Sequence, residues 1–138
     1  MGLIYAEIEL VNAIDAGMAK RHKIGEEEIR RFTVTALVDT GAIMLAINED
    51  IRDVLGLDAV QSDRISRLAD GSIVRLPVVG PVEVHYQGRI CITSALVLPG
   101  DAEPLLGAIV MEELDVVIHP KRQELWPAHP EGPVMSLA

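Results

Sequence analysis

The chain has 138 residues, 49% of them apolar but only 3% aromatic, and a formal charge of −9. One domain with a core of Val, Ile and Leu suits that length and composition. The acid excess excludes a nucleic-acid binder, which needs clustered Lys and Arg, and no apolar run is long enough to span a bilayer.

Leu3 to Val11 alternates apolar and polar residues as a half-buried strand does. Glu7 and Glu9, with no basic leader before them, do not suit a signal peptide, so a cytoplasmic protein is expected. Asp15 to Glu28 is charged and interrupted by Gly17 and Gly25, which reads as a long loop or a frayed helical turn. Arg31 to Val38 reads as a second strand and Ile43 to Ile47 as a short third. Asn48 then suits a helix N-cap, with Glu49 and Asp50 in the first turn and Gly56 at the end.

From Arg64 to Leu76 two extended runs flank Asp70-Gly71, a pair that predicts a hairpin with a tight primed turn. Val82 to Tyr86 and Arg89 to Leu98 form a second hairpin across Gln87-Gly88, and Pro99-Gly100-Asp101 stops it. Leu105-Leu106-Gly107 opens a short apolar helix from Ala108 to about Leu114. Val116 to His119 and Gln123 to Trp126 complete the ordered part, and the Pro-rich tail after it is expected to be irregular. Residues 1–126 are thus expected to form the domain and 127–138 a tail. Cys91 is the only cysteine, so no intrachain disulfide forms, and its apolar surroundings suit a buried structural thiol. The four histidines, His22, His85, His119 and His129, lack the spacing of a metal site.

Candidate chemistry lies in Asp39-Thr40-Gly41-Ala42, fed by the β-prone run Thr35-Ala36-Leu37-Val38. A strand ending in Asp, a small hydroxyl residue and Gly presents a carboxylate from a tight loop. An Asp-Gly hairpin about thirty residues on, and an apolar-apolar-Gly triplet opening a helix, follow in order.

In that order of parts, over about residues 3 to 126, the sequence resembles the retropepsin-like (clan AA) aspartic proteases, most closely the small single-domain prokaryotic type. The resemblance implies a mainly-β, closed acid-protease-like barrel with a flap hairpin and one or two short helices. It makes Asp39 the catalytic aspartate, Thr40 the residue whose hydroxyl crosses a dimer axis, and Gly41 and Ala42 the rest of the active-site loop. Ala69, Asp70, Gly71 and Ser72 become the flap tip, and Leu105, Leu106 and Gly107 the segment beneath the loop.

With one such loop per chain, the second carboxylate must come from a second copy, so a homodimer acting on an extended peptide or protein is implied. Two adjoining carboxylates share one proton, and the pair activates water without a metal, another cofactor or a covalent intermediate. Ala42 cannot place a hydroxyl on the aspartate, as Ser does in some family members, so activity is expected to peak at mildly acidic pH. The alternative is a catalytically silent module of the same fold that dimerises or binds peptides.

Overall fold

The computed structural model describes residues 3–135. Nine strands and three short helices follow one another among them: β1 (Tyr5–Asn12), α1 (Ala13–Lys20), β2 (Arg31–Val38), β3 (Leu45–Asn48), α2 (Glu49–Leu55), β4 (Asp58–Arg67), β5 (Ile73–Tyr86), β6 (Arg89–Leu98), β7 (Leu105–Leu106), α3 (Ala108–Leu114), β8 (Val116–His119) and β9 (Glu124–Pro127). One sheet runs β1-β2-β7-β3-β6-β5-β4, and β1 also pairs with β5. That extra pairing closes six strands into a barrel and leaves β4 outside it. The mainly-β closed barrel expected from the sequence is therefore present.

Alternation builds the wall. Along β1, Ala6, Ile8 and Leu10 are buried while Tyr5, Glu7 and Glu9 face out, and Val82 and Val84 repeat the pattern on β5. Leu45, Ile47, Leu55, Val78, Leu106, Val110 and Leu114 are fully buried with them. Each such side chain contributes about 1.5–3 kcal/mol. Cys91 is buried in the same core, and burial, with Glu113 adding a smaller push, raises its thiol to about 11.

Helix α2 begins and ends where the sequence places it: the Asn48 side chain accepts the Ile51 N–H at 2.9 Å, and Gly56 closes the helix at φ 63°. Of the two readings of residues 15–28, a long loop or a frayed helical turn, the structure has helix first, and it starts earlier and is longer than a turn, over Ala13–Lys20. The Asn12 carboxamide caps it, accepting from Ile14 N and Asp15 N at 3.0 Å each. Asp15 is buried and takes Arg30 in two-pronged contact, Nε at 2.8 Å and Nη2 at 3.0 Å, together with the Arg30 backbone N–H at 3.0 Å. The Arg30 hydrogen bonds hold its carboxyl below the usual Asp value.

The tail after β9 has neither helix nor strand to residue 135. It is nevertheless tied down. Buried Arg89 donates to the carbonyls of Leu114, Asp115 and His129, and Asp115 Oδ2 receives His129 Nδ1 at 2.5 Å and Val134 N at 3.0 Å. The last three residues of the tail, 136–138, lie outside the described residues. Among those described, no helix is long and apolar enough to cross a membrane.

Candidate active site

Strand β2 delivers Asp39. It pairs with β1 through Tyr5↔Leu37 to Val11↔Arg31 and, at its end, in parallel with β7 through Leu37↔Leu105 and Val38↔Leu106. The chain then turns sharply through Thr40 and Gly41. Asp39 Oδ1 accepts the Gly41 N–H at 2.9 Å, and Asp39 O accepts from Ala42 N at 3.1 Å, so the aspartate organises its own loop.

The loop is fixed from the other side by the segment around Gly107. Asp39 N donates to Leu106 O at 3.1 Å, Ala108 N to Ala42 O at 2.8 Å, and Ile109 N to Ile43 O at 3.0 Å. The first N–H groups of α3, which a helix leaves without internal partners, are thus spent on holding the strand exit. Asp39 is half-buried and Thr40 exposed. Among the described residues, neither the Thr40 hydroxyl nor the second Asp39 oxygen has a hydrogen-bond partner. Beside them stand two apolar side chains open to water, Ile43 at 67% and Ile109 at 42% exposure.

No protein-family model matches the chain, and no curated protein matches it. Among solved structures it is similar to the retroviral protease-like domain of Ddi1 from Leishmania major, with 14% identity, a TM-score of 0.59, and coverage of 99% of this chain and 96% of that one. It is also similar to the EIAV protease, solved with the inhibitor HBY-793, at 22% identity and a TM-score of 0.50 over 59% of this chain and 77% of that one. The fold is retropepsin-like.

Within this retropepsin-like fold the hairpin β4–β5 carries the expected flap residues at its tip. Arg67↔Ile73 is the last strand pair, Leu68 N donates to Ser72 O and Gly71 N to Leu68 O, each at 2.9 Å. Only Gly71 has a positive φ, 87°. The turn is therefore a three-residue loop, Ala69-Asp70-Gly71, and not the two-residue primed turn expected, which needs positive φ at both central residues. Asp70 Oδ1 closes it, accepting from Ser72 N at 2.9 Å and Ser72 Oγ at 2.6 Å, and these bonds hold its carboxyl below the usual value.

The structure thus brings Asp39–Ala42 into direct contact with Leu105–Ala108, while no hydrogen bond among the described residues links the flap tip to either. Sequence reading passed over Ile43 and Ile109. The signal available was an isoleucine one residue past each Ala of the two Gly-Ala pairs, Gly41-Ala42 and Gly107-Ala108.

Proposed function

We propose that two copies of this chain form a homodimeric aspartic endopeptidase, each giving Asp39 to one carboxylate pair. The observation that supports this reading most is the clamping of the Asp39 loop between β7 and the start of α3. A catalytic carboxylate needs such fixed placement, and the clamp leaves one oxygen of Asp39 and the Thr40 hydroxyl free to meet another chain. Exposed Ile43 and Ile109 supply apolar surface for that meeting.

Two carboxylates a hydrogen bond apart hold one proton between them. The ionised one takes a proton from water as the oxygen attacks the peptide carbonyl, and the protonated one donates toward the carbonyl oxygen. Collapse of the tetrahedral intermediate, with a proton passed to the nitrogen, yields an acid and an amine. The pair titrates as a unit. Ala69, Asp70, Gly71 and Ser72 close over an extended substrate, whose backbone pairs with the hairpin arms. Residues 1–126 carry this function, and 127–138 serve as the tail.

The test is cleavage of a peptide library by the purified protein, with a pepstatin-type inhibitor and the Asp39→Asn variant as controls. The wild type is expected to cut, the inhibitor to stop it, and Asp39→Asn to lose all cleavage while sedimenting as a dimer. A wild-type dimer that cuts no peptide at any pH would instead make the chain a silent module of the same fold.

A further inference from the structure

The strand that ends at Asp39 has an open edge at its other end. Its register with β1 determines where its backbone groups point. Val38 N donates to Ile4 O at 2.8 Å, and Asn12 N to Arg30 O at 2.9 Å. Even-numbered residues of β2 therefore exchange bonds with β1, and odd-numbered ones face away from it. Leu37 follows the rule, donating to Pro104 O on the far side at 2.9 Å. But β7 is only two residues long and meets β2 only at Leu37 and Val38. The N–H and C=O groups of Thr33 and Thr35 are left facing outward with no strand beside them, and both residues are exposed.

The space beside this edge is a groove of about 330 Å³ between β2 and α2, lined by Phe32, Val34, Ile51, Val54 and Pro104, with Asp50 among them. Phe32 is 43% and Val54 50% exposed, so the groove offers apolar surface that a bound side chain would gain by covering. Arg31, Arg52 and Glu49, on the two elements that flank the groove, are already engaged. Arg31 lies 4.0 Å from both Glu9 and Glu26, Arg52 pairs with Asp53 at 2.9 Å, and Glu49 accepts the Gly100 N–H at 2.6 Å. Asp50 has no ion-pair partner among the described residues.

We infer that this groove docks an extended basic-apolar peptide segment, which adds a strand to β2 by pairing with Thr33 and Thr35. An apolar side chain of the segment covers Phe32 and Val54, and a Lys or Arg meets Asp50. An unpaired strand edge is a template for such addition, main-chain bonds giving affinity and flanking side-chain contacts giving specificity. A second copy of this chain, at −9, is a poor match to Asp50, and a cationic segment a good one. The site lies four to six residues before Asp39, about 13–20 Å along the strand, and the inference holds whether or not the chain cuts peptides.

The test uses a fluorescein-labelled octapeptide of alternating Val and Lys, read by anisotropy and by amide-resolved NMR of the whole chain. Binding should shift the Thr33 and Thr35 amides and slow their exchange. Affinity should fall about tenfold or more for a Val/Glu octapeptide, for a Val/Lys octapeptide N-methylated at alternate residues, and for the Asp50→Lys variant. Thr33→Pro, which removes an outward donor at an edge where proline is tolerated, should do the same. If that variant does not fold, the N-methylated peptide decides the point. Equal binding of the N-methylated or Val/Glu peptide, shifts confined to other residues, or no binding at millimolar peptide would overturn the proposal. So would amide shifts at Thr33 and Thr35 driven by protein concentration alone, which would give the edge to a second copy.

Discussion

A Cβ on residue 107 would lie 2.4 Å from the carbonyl oxygen of Met44 and 2.8 Å from the carbonyl carbon and oxygen of Ile43. Those atoms are backbone and cannot swing aside, so glycine is required here by space alone. Replacing it pushes the start of α3 away from the strand exit and loosens the bonds from Ala108 N and Ile109 N that hold residues 42 and 43. Gly107→Ala is expected to cost about 1–3 kcal/mol in urea unfolding and to depress cleavage more than stability, because it shifts the Asp39 loop. Retained full cleavage in a destabilised Gly107→Ala would separate the clamp from function. The short motifs were legible in sequence because each states its own local chemistry: Asp-Thr-Gly turns on its own carboxylate, and a Gly after two apolar residues marks a close approach.

At the scale of elements, β2 was readable to its ends, since apolar alternation and the Asp-Thr-Gly turn both bound it. Helix α1 was not. Gly17 and the surrounding charges mask it, and what holds it is the Asn12 cap plus a pairing of Asp15 with Arg30, fifteen residues away in sequence. The groove beside β2 was equally invisible, because it results from the shortness of β7, a neighbour supplied from residues 105–106.

At the tip of the β4–β5 hairpin, the Asp70 carboxyl is held low by Ser72. Its stabilising bonds are therefore fully present above the usual Asp value and fade only as pH falls through its lowered one. A mildly acid optimum leaves the tip turn intact. Asp70→Ala is expected to reduce kcat/KM by roughly tenfold with little change in melting temperature, measured on any peptide the wild type cleaves. An unchanged kcat/KM would remove the flap tip from substrate handling.

For the whole molecule, acid sensitivity follows from two paired carboxylates. Asp15 is held low by Arg30, and Asp115 by the His129 hydrogen bond first and then by Val134 N and the positive charges of His129 and Arg89. Folding lowers both values, so their contributions are complete above the unfolded Asp value and are lost as pH drops through the folded ones. Stability should fall below about pH 4. Asp15→Asn and Asp115→Asn should each be less stable at pH 7 and show a shallower acid limb in thermal melts. Removing residues 128–138 takes away the His129 carbonyl that buried Arg89 uses, and a lower melting temperature is expected.

The barrel wall is closed by β1 pairing with both β2 and β5. Beyond folding, the proposed activity needs two such barrels to share one site. Wild type mixed with Asp39→Asn at constant total protein measures that directly. If each site needs Asp39 from both copies, an equal mixture retains about one quarter of the wild-type cleavage rate, and the rate follows the square of the wild-type fraction. A rate that falls in simple proportion to the wild-type fraction, or a wild type with no cleavage to titrate, would contradict the shared carboxylate pair.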